Sequence, residues 1–105
     1  PVANSDPLAP ELASSLSCRP NPFFGQTLVT FTLGRGGDPV TLNIYNLRGQ
    51  KVRAWDLGPL DKGEQQALWD GRDDRGQQVA AGIYILELRT SNWRRSLKIL
   101  RLPRE

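Results

Sequence analysis

Asp70, Asp73 and Asp74 fall within five consecutive residues, interleaved with Gly71, Arg72, Arg75 and Gly76. Three carboxylates this close suggest either an oxygen-ligated calcium ion or paired acid/base groups of the kind that hydrolyse glycosides. The spacing lacks the alternating acidic positions and closing Glu of an EF-hand loop, and Arg72 and Arg75 would offset much of the negative charge. Paired carboxylates of a glycosidase need a deep cleft, which a chain of 105 residues seldom builds. The expectation is that these aspartates accept backbone N–H bonds in successive turns, with calcium at Asp70, Asp73 and Asp74 as the alternative.

Other residue types narrow the chemistry further. Cys18 is the single cysteine, so no internal disulfide forms, and the chain has no histidine to serve as a base. That removes the usual Ser/His/Asp triad and the usual zinc sites, and leaves Cys18 as a small, partly buried strand residue. No cofactor is expected, and the chain is not expected to be an enzyme. Trp69 is expected in the core. Trp55 and Trp93 are candidates for glycan contact, because exposed indoles on β-sandwiches stack on sugar rings.

Those side chains must be held by one modest core. Hydrophobic residues make up 38% of the chain and charged residues 24%, a composition of folded soluble domains. No apolar run is long enough to cross a bilayer, and no secretory h-region is visible, so membrane insertion is not expected. The net charge of +3 owes much to Arg94, Arg95, Lys98, Arg101 and Arg104. Interspersed with Leu97, Ile99, Leu100 and Leu102, these cations read as the solvent side of a strand, where charge discourages edge-to-edge pairing. A nucleic-acid interface would need stacking aromatics among the cations, and only Trp93 is near, so no nucleic-acid partner is expected.

Residues 1–15 mix Pro, Ala, Ser and Asp without a period and read as a linker from a preceding domain; the absence of an initial Met fits a piece of a longer polypeptide. Residues 16–105 form the domain. Short alternating runs follow one another: a first strand at Leu16–Arg19, then Leu28–Leu33 with Val29, Phe31 and Leu33 on one face, then Val40–Tyr45 with Val40, Leu42 and Ile44 aligned. Lys51–Leu57, Glu64–Trp69 and Ile83–Thr90 continue the series, the last with Tyr84, Leu86 and Leu88 inward. In the final strand, Trp93 to about Leu102, the pairs Leu97/Ile99 and Leu100/Leu102 compete for the core, and a bulge near Lys98 would admit both. About seven strands, broken by most of the ten Gly and eight Pro, predict an all-β sandwich of two antiparallel sheets.

Five blocks in order carry a family resemblance: Pro20-Asn21-Pro22-Phe23, Val29–Leu33, Val40–Val52, Trp69–Tyr84 and Leu97–Leu100. Together they resemble the FlgD-like immunoglobulin-like superfamily, which includes the C-terminal sorting domain (type A) of type IX secretion cargo and a domain of the flagellar hook-capping protein. The chain departs from the usual pattern at Arg19, Phe24-Gly25 and Gly34, all loop or edge positions. Within the blocks, Pro20 and Pro22 suit an edge segment crossing between sheets, Phe23 would cap the core, Asn46 would close its own turn, and Gly82 would let the backbone enter the next strand without a clash.

The resemblance implies an immunoglobulin-like fold and a non-catalytic C-terminal module of a larger secreted bacterial protein. Its role would be type IX sorting and attachment at the cell surface, through partners in the secretion machinery or on that surface. The recognition residues it implies are Gly82, Lys98, Ile99, Leu100, Arg101 and Leu102. The other readings are a structural domain like that of the hook-capping protein and a carbohydrate-binding module.

Overall fold

The computed structural model describes residues 15–103, so the linker reading of 1–15 falls, save for Ser15, outside the described residues. Seven strands follow in sequence: β1 (Ser15–Arg19), β2 (Thr27–Leu33), β3 (Pro39–Asn46), β4 (Lys51–Pro59), β5 (Gly63–Trp69), β6 (Gly82–Arg89) and β7 (Arg94–Arg101). They form two antiparallel sheets ordered β1-β2-β5 and β4-β3-β6-β7, the expected sandwich. Alternation is the cause. Val29, Phe31 and Leu33 of β2 face Val40, Leu42 and Ile44 of β3 and Tyr84, Leu86 and Leu88 of β6 across a buried core. Each such side chain contributes about 1.5–3 kcal/mol by leaving water.

One end of the sandwich is closed by aromatic rings. Phe23 and Trp69 are fully buried with ring centroids 5.3 Å apart, and Tyr84 meets Trp69 edge-on at 5.6 Å. The polar atoms of two of these rings have partners: Trp69 Nε1–H donates to the Arg72 carbonyl at 2.9 Å, and the Tyr84 hydroxyl donates to the Ala80 carbonyl at 2.6 Å. Phe23 reaches this position because the chain changes sheets after β1. The Arg19–Pro20 and Asn21–Pro22 peptide bonds are both cis. Beyond them Phe23 joins the outer side of β7 as a parallel bridge to Arg101. The Phe23 N–H donates to the Leu100 carbonyl at 3.0 Å, and the Leu102 N–H donates to the Phe23 carbonyl at 2.7 Å. Asn21 completes the seam, its Nδ2 donating to the Lys98 carbonyl and its Oδ1 accepting from the Leu100 N–H, both at 3.0 Å.

The last strand departs from expectation. β6 and β7 pair continuously from Gly82↔Arg101 to Arg89↔Arg94, with no bulge near Lys98. The register shifts occur instead between β3 and β4, where Val52 and Leu57 are the extra residues and both pack against the core. With β7 regular, Leu97 and Ile99 take the inward positions and Arg101 is forced to follow them. Arg101 is therefore not on the solvent side with the other cations; it is 5% exposed. Its Nη1 donates to the Val79 carbonyl at 3.0 Å, while its buried Nε has no partner among the described residues. Gly82 also has a different reason from the one expected. No atom stands where its Cβ would be, and the requirement is its φ of +146°.

Gly71 makes room for Arg101. A Cβ at Gly71 would lie 2.8 Å from Arg101 Nε and 3.2 Å from the Gly25 carbonyl, at a φ of +75°. Gly76 has a similar φ of +85° but open space around it. Gly76→Ala is expected to cost about 1–2 kcal/mol for its backbone conformation alone. Gly71→Ala should cost about 2–4 kcal/mol, since overpacking is added to that strain. Urea denaturation of the two variants measures the difference, and equal costs would show that the Arg101 side chain yields freely.

Cys18 is 7% exposed, and burial pushes its thiol from an ordinary 9.0 up to about 11, the Thr27 side chain partly opposing the shift. Between these two values the unfolded chain loses a proton that the folded chain keeps, so the contribution to stability falls as pH rises. Relative to Cys18→Ala, the native domain should lose about 2–3 kcal/mol across that window, given about 1.4 kcal/mol per pKa unit. Parallel denaturation curves for the two proteins at pH 8.5 and 11 would contradict this.

Candidate functional site

The Asp/Gly segment between β5 and β6 is folded by its own aspartates. Asp70 Oδ1 accepts the Arg72 N–H at 3.0 Å, and Asp73 Oδ1 accepts the N–H groups of Arg75 and Gln77 at 2.9 and 3.0 Å. Two further bonds pinch the loop, Gly76 N–H to the Asp73 carbonyl and Val79 N–H to the Gly71 carbonyl. Asp74 does something different. Its backbone N–H donates to the Val52 carbonyl at 3.0 Å and its Oδ1 accepts the Ala54 N–H at 3.3 Å, so the loop lies along the outer edge of β4.

Arg53, on β4, holds the loop there. Its Nη1 donates to Asp70 Oδ1 at 3.2 Å and to the Arg72 carbonyl at 3.0 Å, and its Nε lies 3.6 Å from Asp74 Oδ1. The Arg72 carbonyl is the same one that receives the Trp69 indole N–H, so loop and core are joined at one oxygen. Asp70 and Asp74 are half exposed, and ion pairs in that setting contribute about 0–1 kcal/mol each. Arg53 therefore acts chiefly as a geometric clamp. Among the described residues no three His, Cys, Asp or Glu side chains converge as a metal-ligand group. A depression of about 280 Å³ beside the loop is lined by Lys51 and Arg75 as well as Asp73 and Asp74.

The tryptophans occupy opposite borders of the four-stranded sheet. Trp55 on β4 pairs with Leu42 and shares its inward side, half-buried against the core, with the Arg53 guanidinium 4.8 Å from its ring centroid. Trp93 precedes β7 and packs against the core beside Val40 and Thr90. With strands about 4.8 Å apart, three strand steps separate the two rings by roughly 14 Å laterally.

The six residues implied at the C-terminal end divide by side. Ile99 and Arg101 are buried, Lys98 is exposed, and Leu100 and Leu102 are half-buried. Gly82 pairs with Arg101, and its neighbour Ile83 pairs with Leu100 on the outer face. This end of the sheet carries an apolar surface that the sequence did not reveal. Leu47 is 70% exposed and lines, with Ile83, Ala80 and Ala81, a depression of about 330 Å³. Phe24, 52% exposed, follows Phe23 at the same end. Leu47 sits in a turn and Phe24 beside the proline pair, so neither belongs to an alternating run that would signal its exposure. Asn21 and Arg53 were likewise unmarked, since their partners lie on distant segments.

Comparison with known proteins places this geometry. No curated protein shows significant sequence similarity to the chain. Among solved structures, dimeric latent PorU from Porphyromonas gingivalis superposes with a TM-score of 0.69 at 17% identity, over 87% of this chain and 9% of that one. FlgD from P. aeruginosa superposes with a TM-score of 0.57 at 23% identity, over 84% of this chain and 64% of that one. In both the matching segment is part of a longer polypeptide, and this chain spans under two thirds of either length. Likeness at this identity establishes the fold, an immunoglobulin-like sandwich. The FlgD Ig-like domain family matches residues 18–93, from the buried Cys18 through the Asp/Gly loop to the β6–β7 turn, and the chain belongs to that family.

Proposed function

We propose that this domain is a non-catalytic recognition module of a larger exported bacterial protein, directing it through type IX secretion to the cell surface. The observation that carries the reading is the apolar surface of Leu47, Ala80, Ala81 and Ile83, continued across the ladder by Leu100, at one end of the four-stranded sheet. Isolated exposed leucines are ordinary, but an apolar cluster around a depression is a feature of contact sites. Its position matters as much. β1 begins at Ser15 opposite Thr32, at the far end of the sandwich from Gly82, Leu100 and Leu102. A domain joined ahead of Ser15 through a linker would enter at that far end, leaving the apolar end free for a partner in trans.

Recognition then falls on Lys98, Leu100 and Leu102 at the surface and on the backbone of Gly82, while Ile99 and Arg101 support the strand from within. The type IX assignment draws on the resemblance of the sequence blocks and is supported by the superposition on PorU. A second reading, a structural domain within a flagellar assembly, is favoured by the family match through the Asp/Gly loop. It predicts that the parent polypeptide is a hook-capping protein.

Fusion of residues 15–105 to a passive fluorescent reporter in a type IX host distinguishes the two. Export of the reporter to the surface is expected, and Leu100→Asp, which alters an outward side chain, should abolish it while leaving the circular dichroism of the purified domain unchanged. Retention of the unsubstituted fusion inside the cell would overturn the sorting function.

A further inference from the structure

The outer edge of β7 is divided in two. Bonds from Asn21 and Phe23 take the Lys98 carbonyl, both backbone groups of Leu100 and the Leu102 N–H. Alternate residues of a strand present their backbone groups to the same side, so the next outward groups are the Lys98 N–H and the N–H and carbonyl of Ser96 and Arg94. No hydrogen bond from the described residues reaches these groups, and no strand lies beyond β7 in the sheet. A row of unpaired donors and acceptors is a template for one more strand.

The domain covers comparable edges elsewhere with its own chain. On β4 the occupant is Asp74, which bonds the backbone at Val52 and Ala54 while Arg53 holds its carboxylate. The upper half of β7 offers the same combination of open backbone and neighbouring cations, and among the described residues no acidic side chain bonds its outward backbone groups. Arg94, Ser96 and Lys98 are all exposed, and Arg89 stands beside Arg94 in the ladder. Glu87 lies 3.9 Å from Arg89 and 3.8 Å from Arg94, but it is one largely buried carboxylate, 13% exposed and also contacted by Asn43 and Tyr45, so the patch keeps an excess of positive charge.

We infer that the Arg94–Lys98 edge receives an extended acidic segment of a partner protein as an added strand. Its acidic residues alternate opposite Arg94 and Lys98, and its intervening apolar residues lie over Leu97. A second copy of this chain does not fit. Antiparallel pairing of two β7 strands about Ser96 would set Arg94 directly opposite Lys98 twice, and like charges opposed across a ladder are destabilising. The same cations that bar self-pairing select carboxylates. The outward groups of Arg94, Ser96 and Lys98 span five positions, about 17 Å of strand, so the contact is short and salt-sensitive. This inference rests on the strand edge and not on the apolar end, and it stands whether or not the domain is a sorting module.

The test is amide hydrogen exchange on the full ¹⁵N-labelled chain, titrated with a blocked peptide alternating Glu and Val, and in parallel with one alternating Lys and Val. The Glu peptide is expected to slow exchange at the Ser96 and Lys98 amides several-fold, with no change at Leu97 or Ile99, whose amides already point to β6, and the effect should vanish in 0.5 M salt. Ser96→Pro removes the outward N–H without removing a bond to β6, and should abolish the protection. The double reversal Arg94→Glu with Lys98→Glu, at two exposed side chains, should transfer the preference to the Lys peptide. No protection by the Glu peptide, equal protection by both peptides, or protection of these amides before any peptide is added would each overturn the inference.

Discussion

Trp69 is the side chain on which the rest of the domain depends. It ends β5, lies fully buried between Phe23 and Tyr84, and sends its indole N–H to the Arg72 carbonyl. Four separate pieces of chain therefore meet at one residue: the sheet-switching segment, β5, β6 and the Asp/Gly loop. Aromatic pairs of this kind add about 0.5–1.5 kcal/mol beyond the burial of their area. Their larger effect here is positional. The Arg72 carbonyl also receives Arg53, so the orientation of a core ring is transmitted to the edge of β4 through a shared acceptor.

That edge illustrates a general problem of open sandwiches. Each sheet ends in strands whose outward backbone groups lack partners, and the chain answers with loops in place of extra strands. Asp74 covers part of β4, and Asn21 with Phe23 covers the lower half of β7. The three aspartates that suggest chemistry in the sequence are used in this way, two shaping turns and the third lying on a strand edge. Carboxylates accept backbone N–H bonds as readily as they bind ions, and it is position that decides between the two uses.

The strands were legible because alternation is a local signal. Val29, Phe31 and Leu33 announce their face without reference to any other segment, and the seven strands appear within about two residues of their expected places. β7 was harder because Arg101 interrupts the signal. A cation at an inward position makes Leu100 and Leu102 look like rivals of Leu97 and Ile99, and only the uninterrupted pairing with β6 resolves the parity. The carboxylate turns were also legible, since Asx turns involve neighbours in sequence. The clamp by Arg53 and the seam at Asn21 were not, because each joins residues whose proximity exists only after the sheets have stacked. The exposure of Leu47 and of Phe24 was hidden for the opposite reason: an apolar residue in a turn looks the same in sequence whether the fold covers it or leaves it bare.

The seam at Asn21 has a consequence for how the domain comes into being. Its two hydrogen bonds connect residues 77 and 79 positions apart, almost the whole described length. During synthesis the early strands therefore wait for the last one: β7 completes the four-stranded sheet, receives Phe23 and brings Arg101 beneath Gly71. Contacts so distant in sequence form late, because the loop they close must be ordered before they give any return. A nascent chain that has not yet supplied β7 would present an unsealed core to whatever surrounds it, so the finished sandwich is itself a record that synthesis has passed Arg101.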